Sequence, residues 1–274
     1  MAKIGIFDSG YGGLTILDAI RKNLPGYDYL YLGDNARAPY GTHSFEVIYR
    51  YTLQAVQYLF EQDCALVILA CNTASAKALR TIQQVDLPLL NGETMKRNVL
   101  GVIRPTVEAV PAITKTGHIG ILATPATVSS ESYALELEKI SRQLVVTQQA
   151  CPMWVPLIEA GEHDGDGADY FVAKYLQEIL AKDPQIDTLV LGCTHYPLLQ
   201  KKIAQQLNNE IQIISQGTLE ADSLKDYLSR HPEYRDQLTQ GGTCLYLTTE
   251  NADRFSQSAS NFIGEKICAQ HITL

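Results

Sequence analysis

Two cysteines stand directly after short apolar runs that are typical of buried strands. Cys71 lies in Val67-Ile-Leu-Ala-Cys-Asn-Thr73, and Cys193 lies in Leu189-Val-Leu-Gly-Cys-Thr-His195. Ligands of parallel sheets bind beyond the carboxyl ends of the strands, so both thiols are placed to face a cleft. A base on one face of a carbon atom and an acid on the other can invert a stereocentre, and a thiolate and a thiol form such a pair. Each cysteine could instead be a small buried hydrophobic residue, but the duplicated pair favours chemistry.

The two cysteine segments belong to an internal repeat. They recur at an offset of 122 residues, and Ile4-Gly-Ile-Phe-Asp8 resembles Ile119-Gly-Ile-Leu-Ala123 at an offset of 115 residues. Two strand-end motifs that recur at nearly one offset indicate a duplicated α/β unit.

The repeat is asymmetric in its chemistry. It aligns Asp8 with Ala123 and Thr73 with His195, so each thiol has a different neighbour. An imidazole can stabilise a thiolate, whereas an aspartate must accept a proton or orient another group.

The composition limits the classes of function. The chain has 274 residues, 46% hydrophobic and 19% charged, and its net charge is -8. The acidic balance argues against a nucleic-acid partner, which would usually meet a basic patch. No apolar run approaches the roughly 18 residues of a spanning helix, and the N-terminus lacks the apolar region of a signal peptide. We therefore expect a cytoplasmic protein with reduced thiols and no membrane partner.

Apolar runs alternate with helical patterns along the chain. This alternation predicts an α/β fold with mostly parallel sheets. With the repeat, it predicts two pseudo-symmetric lobes, each a sheet flanked by helices, with the active site in the cleft between them. We expect residues 1–97 and 211–274 to form the first lobe and residues 98–210 the second, with crossings near Asn91–Gly92 and Gly101–Pro105.

Metal and cofactor sites have weaker support in the sequence. Cys193 and His195 could be two metal ligands, but no second cluster has the spacing of a zinc site. A pyridoxal phosphate enzyme needs a Schiff-base lysine, and no cleft motif contains one. The glycine-rich loop 8–15 lacks the spacing of a phosphate-binding motif, although its glycines allow close approach of a ligand. Asp8 could be a helix N-cap rather than a cleft residue. We expect neither a metal nor a cofactor.

These segments together resemble the glutamate racemases of the aspartate/glutamate racemase superfamily. The resemblance covers essentially the whole chain, and the ordered set of motifs is specific where a single one would not be. The matching segments are Asp8–Thr15, Pro39–Gly41, Ala70–Ser75, Gly101–Pro105, Ala123–Thr127, Gly192–Leu198 and Thr248–Phe255. The resemblance implies cofactor-independent interconversion of L- and D-glutamate, which supplies D-glutamate for peptidoglycan synthesis, in a fold of two pseudo-symmetric α/β lobes.

The resemblance also implies roles for particular residues. Cys71 would remove the α-proton of D-glutamate with help from Asp8, and Cys193 that of L-glutamate with help from His195 and Glu159. The substrate would be held by side chains and backbone from both halves of the chain: Asp8, Ser9, Tyr40, Gly41, Asn72, Thr73, Thr124, Thr127, Thr194 and His195. Two segments depart from the family pattern. Glu159 stands where the family often has a second acid, and Ile214–Gly217 lacks an expected acidic residue.

Other functions remain open on the residues alone. One is a racemase of aspartate or of several amino acids; another is a hydrolase or decarboxylase that uses a single cysteine; a third is a two-lobed binding protein without activity. Two duplicated thiols favour proton transfer, because hydrolysis needs only one nucleophile with an oriented base. The oligomeric state is also open, with a homodimer among the alternatives.

Overall fold

The structure is a computed structural model that describes residues 2–91, 95–207 and 210–274. Ten strands lie within these ranges. In chain order they are β1 (Lys3–Asp8), β2 (Tyr29–Gly33), β3 (Cys64–Leu69), β4 (Asn98–Gly101), β5 (His118–Ala123), β6 (Val145–Ala150), β7 (Thr188–Gly192), β8 (Gln212–Ile214), β9 (Cys244–Thr248) and β10 (Ala269–His271).

Helices connect these strands. In chain order they are α1 (Leu14–Asn23), α2 (Phe45–Glu61), α3 (Asn72–Lys77), α4 (Leu79–Thr81), α5 (Leu87–Leu90), α6 (Ile103–Ala109), α7 (Pro125–Ser129), α8 (Ser132–Ile140), α9 (Trp154–Glu159), α10 (Asp166–Lys182), α11 (Gln200–Gln206), α12 (Gly217–Arg230), α13 (Pro232–Arg235) and α14 (Ala252–Ile263). None of them is long and apolar enough to cross a membrane, within the described ranges.

The strands form two parallel sheets with related topology. The six-stranded sheet has the order β10-β9-β2-β1-β3-β4, and the four-stranded sheet has the order β6-β5-β7-β8. All pairings between these strands are parallel. The order β2-β1-β3-β4 recurs as β6-β5-β7-β8, so β1 corresponds to β5 and β3 to β7. These are the strands of the repeated segments, and the predicted fold of two pseudo-symmetric α/β lobes is confirmed.

Helices cover both faces of the larger sheet because its central strands are apolar on both sides. Ile4 and Ile6 of β1 pack on one face with Leu17 of α1. Phe7 points to the other face and packs with Val56 of α2, as the two-residue period of a strand requires. Burial on both faces explains why β3 is a continuous apolar run.

Strand pairing bears on where the two lobes begin and end. The strand β4 pairs with β3 of the larger sheet, and β8 pairs with β7 of the smaller one. The division of the lobes at residues 98 and 211 stays a prediction. If strand pairing defined the lobes, the first boundary would fall after Gly101 and the second after Ile214. Both strands are too short for a recognisable apolar pattern. Of the expected crossing points, Gly101 ends β4, and Gly92 lies outside the described residues.

Candidate active site

Both cysteines line one small cavity at the carboxyl ends of equivalent strands. Cys71 follows β3 and Cys193 follows β7, and the cavity between them has a volume of about 20 Å³. It is lined by Ser9, Pro39, Tyr40, Gly41, Cys71, Asn72, Thr73, Thr124, Val155, Glu159, Cys193, Thr194 and His195. Eleven of these thirteen residues are candidates from the sequence, Pro39 and Val155 being the others. The remaining candidates, Asp8 and Thr127, hydrogen bond to lining residues.

The thiol of Cys71 is held at the start of α3. It is the N-cap residue of that helix, and its Sγ accepts a hydrogen bond from the backbone N–H of Ala74 at 3.5 Å. Ser9 Oγ lies 3.4 Å from the same sulfur. Burial, together with the nearby carboxylate of Asp8, raises the pKa of Cys71 to about 12. The sulfur therefore carries a proton at neutral pH.

Asp8 is fully buried at the end of β1, and its carboxylate faces the second cysteine segment. Oδ2 accepts from the N–H of Gly10 at 2.9 Å, and Oδ1 accepts from Thr194 Oγ1 at 3.3 Å. Burial raises its pKa, and the positive charge of His195 opposes this. The N-cap of α1 is Gly13, so the alternative interpretation of Asp8 as the cap of this helix is wrong.

His195 is a buried cation beside the second thiol. Its Nδ1 lies 3.8 Å from Cys193 Sγ, and its Nε2 lies 3.3 Å from Glu159 Oε1 without the alignment of a hydrogen bond. Burial alone would lower the pKa of His195, but the contacts with Cys193 and Glu159 outweigh it and raise the pKa to about 10. The imidazole is therefore protonated at neutral pH, which favours negative charge on the adjacent sulfur. Glu159, the last residue of α9, reaches the site through this contact.

Three hydroxyl groups meet where the two halves of the cavity face each other. Thr73 Oγ1 lies 2.9 Å from Thr124 Oγ1 and 3.4 Å from Thr127 Oγ1. Thr124 is the N-cap of α7 and accepts from the backbone N–H of Thr127. Since each hydroxyl can rotate to donate, this cluster can bind a carboxylate.

Tyr40 is positioned by a buried carboxylate. Its hydroxyl donates to Asp34 Oδ2, which also accepts from Arg37 Nε at 2.7 Å. Asp34 Oδ1 accepts from Thr249 Oγ1 at 2.8 Å. Tyr40 and Gly41 line the cavity, and the tyrosine hydroxyl is bound to Asp34.

Glycines in two loops allow the backbone to approach the site closely. A Cβ atom at Gly12 would lie 2.2 Å from Thr194 Oγ1 and 2.6 Å from His195 Nδ1. A Cβ atom at Gly41 would lie 2.8 Å from Thr124 Cβ. Both positions therefore require the absence of a side chain.

A second, larger cavity lies away from this site. A larger cavity of about 720 Å³, bordered by α3, α6, α8 and α12, contains none of the predicted site residues. Within residues 2–91, 95–207 and 210–274, no three His, Cys, Asp or Glu side chains are placed to hold a metal ion.

Three residues that support the site from behind were not predicted as site residues. Asp34 is the acid of the loop that contains Pro39–Gly41, Gln216 lies in the segment 214–217 that departs from the family pattern, and Tyr133 belongs to no motif. Tyr133 donates to Asn72 Oδ1 at 2.6 Å, and Gln216 Oε1 accepts from Asn72 Nδ2 at 2.6 Å. These contacts join residues 61 and 144 positions apart, which no local spacing could indicate.

Comparison with known proteins identifies the family. The family model described as Asp/Glu/Hydantoin racemase matches residues 14–223. A glutamate racemase of Ruegeria sp. (strain TM1040) is 42% identical over 274 residues, covering 96% of this chain and 97% of that protein. The chain belongs to the Asp/Glu/Hydantoin racemase family.

Solved structures of Asp/Glu/Hydantoin racemase relatives have the same architecture. The glutamate racemase isoform RacE1 of Bacillus anthracis superposes with a TM-score of 0.89 at 32% identity, over 100% of this chain and 98% of that one. The glutamate racemase of Francisella tularensis subsp. tularensis SCHU S4, solved with D-glutamate, superposes with a TM-score of 0.86 at 30% identity, over 99% of this chain and 97% of that one. The resemblance found in the sequence motifs is confirmed.

Proposed function

We propose that this protein interconverts L- and D-glutamate by proton transfer at Cα between Cys193 and Cys71. One observation carries the proposal: the two thiols line one narrow cavity from equivalent strand ends, with the Asp8 carboxylate near Cys71 and the His195 imidazole beside Cys193. The names of the relatives favour glutamate over aspartate as the substrate.

The reaction from L-glutamate starts with Cys193 as the base. Its thiolate, stabilised by the His195 cation, takes the α-hydrogen as a proton, and the C–H bonding electrons remain on Cα, delocalised into the adjacent carboxylate. The S–H of Cys71 then delivers its proton to the opposite face of Cα. The products are D-glutamate, a neutral Cys193 and a Cys71 thiolate, so charge and protons balance.

The reverse reaction needs Cys71 as a thiolate, which its surroundings disfavour. Its Ser9 and Ala74 contacts can each donate to a negative sulfur. Asp8 lies close enough to raise the pKa of Cys71. In this proposal Asp8 binds the substrate ammonium, which offsets its charge and lowers its electrostatic effect on the thiol.

The ends of a zwitterionic substrate find complementary groups in the cavity wall and directly behind it. Asp8 provides a negative charge for the ammonium, and the Thr73, Thr124 and Thr127 hydroxyls can donate to a carboxylate. No step requires a metal or an organic cofactor. We infer a place in the cytoplasm, because the mechanism needs reduced thiols and all six cysteines are free. Following the family resemblance, the product serves peptidoglycan synthesis.

Serine variants of the two cysteines test the proposal. A hydroxyl is a far weaker base than a thiolate, and loss of a general acid–base group typically costs about 10²–10⁴-fold. We expect Cys71→Ser and Cys193→Ser each to lose activity near the upper end of that range, measured by circular dichroism with L- or D-glutamate.

Cys151→Ser is the matched control, because Cys151 is equally buried in the second sheet's half of the chain but does not line the cavity. Its activity should stay within about threefold of wild type. A folded Cys193→Ser protein that keeps a tenth of the wild-type rate would exclude the two-thiol mechanism. Parallel assays with L-aspartate distinguish an aspartate racemase, for which aspartate would be the better substrate.

A further inference from the structure

Behind the two cysteines, three buried side chains form a closed ring of hydrogen bonds. Asn72 Nδ2 donates to Gln216 Oε1 at 2.6 Å, Gln216 Nε2 donates to Tyr133 OH at 2.9 Å, and Tyr133 OH donates to Asn72 Oδ1 at 2.6 Å. Each member donates once and accepts once, so the direction of every bond is consistent. All three residues are at most 3% exposed.

Further contacts leave Gln216 a single orientation. Its Nε2 also lies 3.1 Å from the carbonyl oxygen of Val102 and 2.9 Å from Thr106 Oγ1, so its two hydrogens are shared among these two acceptors and Tyr133 OH. The Thr106 hydroxyl donates its own hydrogen to the Val102 carbonyl, so it can only accept from Gln216. Rotating the amide by half a turn would set its oxygen against that carbonyl and its N–H₂ against the Asn72 amide. Such a buried mismatch is costly, so the ring is rigid.

The ring reaches the neighbours of both thiols. Asn72 directly follows Cys71 and opens α3. The aromatic side chain of Tyr133 packs against Gly192: a Cβ atom added at Gly192 would lie 3.2 Å from Tyr133 Cε2. Gly192 directly precedes Cys193. Gln216, in the connection between β8 and α12, hydrogen bonds to both Asn72 and Tyr133. Gln216 and Cys193 also line a second cavity, of about 140 Å³, behind the site.

We propose that Gln216 is a positioning residue that, through Asn72 and Tyr133, sets the separation of the Cys71 and Cys193 sulfurs across the substrate. This inference rests on the proposed two-thiol mechanism. Proton transfer to opposite faces of one carbon requires both sulfurs at reacting distance in the same complex, and a misplacement of about 1 Å can cost about 10²-fold in rate. Gln216 is not among the residues that line the substrate cavity, so we expect its loss to affect the chemical step more than binding.

The test is the division of effects between kcat and KM in Gln216→Leu, which keeps the approximate volume and removes every hydrogen bond of the amide. We expect kcat to fall about 10–100-fold in both directions, while KM for glutamate changes less than about threefold. The primary isotope effect on kcat with α-deuterated L- and D-glutamate should rise, because proton transfer becomes more rate-limiting.

Gln149→Leu is the matched control. Gln149 is also a buried glutamine with side-chain partners, Glu178 and Lys182, but its side chain makes no contact with either cysteine segment. This control should keep its kcat and isotope effects, even if its stability falls. Equal kcat and isotope effects in folded Gln216→Leu and Gln149→Leu proteins would overturn the inference.

Tyr133→Phe provides a second test that removes a single oxygen atom, and it decides the matter if Gln216→Leu does not fold. It should lower kcat with the same signature. Where both variants fold, the double variant should lose little more than the more impaired single variant, because both break one ring. An unchanged kcat in Tyr133→Phe would overturn the inference. If the wild-type protein itself did not racemise glutamate, the proposed function would fail instead, which the same assays show first.

Discussion

Replacing His195 with asparagine removes the cation beside Cys193 and leaves a polar side chain in its place. The imidazole Nδ1 lies 3.8 Å from Sγ, and both residues are less than a tenth exposed. Two unit charges about 4 Å apart attract by about 4 kcal/mol at an effective dielectric constant of about 20. Since 1.4 kcal/mol is about tenfold, losing this attraction removes roughly 10²–10³-fold of the stabilisation that the cation gives to negative charge on the sulfur. We expect kcat/KM to fall by the same factor.

The pH dependence follows with a definite sign. In the wild-type protein the pKa of His195 is raised to about 10, so the imidazole stays cationic from pH 6 to 9 and no rate change is expected near pH 6.5. The variant lacks this cation, so we expect its activity to increase with pH across the same range, where that of the wild-type protein stays flat.

The assay measures kcat/KM of the wild-type and His195→Asn proteins from pH 6 to 9, with circular dichroism following the loss of optical activity. Absorbance at 240 nm monitors thiolate in the same samples. His118→Asn is the matched control, because His118 lies at the amino end of β5, opposite the cavity, and contacts Asp183 at 2.8 Å. That control should behave as wild type. A loss below threefold in His195→Asn, or a loss that is constant with pH, would refute the electrostatic role.

Two further predictions concern packing and buried charge. Gly12→Ala should lower kcat/KM by roughly 10²-fold, because its Cβ would overlap Thr194 and displace His195, whereas Gly26→Ala, with nothing within 4 Å, should be neutral. Wild-type activity in Gly12→Ala would show that the loop yields freely. Burial raises the pKa of Glu220 to about 7 from 4.5, so its ionisation destabilises the folded state increasingly as pH rises from 4.5 to 7. Glu220→Gln should therefore raise the free energy of unfolding by roughly 1–3 kcal/mol more at pH 8 than at pH 4.5. Urea denaturation at the two pH values measures this difference. An equal change at both pH values would mean that the carboxyl group is solvated.

Much of the site could be predicted because its chemistry is attached to strand ends. Cys71 and Cys193 follow apolar runs whose burial is readable from sequence, and parallel strands bring their carboxyl ends to one side. The internal repeat also predicted which strands of the two sheets correspond. The strand order β2-β1-β3-β4 of one sheet and β6-β5-β7-β8 of the other agrees with that prediction.

The residues that hold the site together were not predictable in the same way. Gln216 meets Asn72 across 144 residues, and a single buried glutamine has no periodic signature. The short strands β4 and β8 escaped recognition, because three or four residues carry no clear alternation. Asp8 had two local interpretations, and they are distinguished by the start of α1, whose N-cap is Gly13, and by the contact of the Asp8 carboxylate with Thr194.

The most direct test of the two-thiol mechanism is the position of deuterium after brief turnover of L-glutamate in D₂O. With separate thiols on the two faces of Cα, the proton taken by Cys193 cannot return on the other face, so newly formed D-glutamate should carry one deuterium at Cα in essentially every molecule. The Cys71→Ser protein should exchange the α-proton of L-glutamate with solvent much faster than that of D-glutamate, and it should form almost no D-glutamate. If early D-glutamate retained a substantial share of protium, a single group would be serving both faces, and the account of Cys71 and Cys193 as paired acid and base would be wrong.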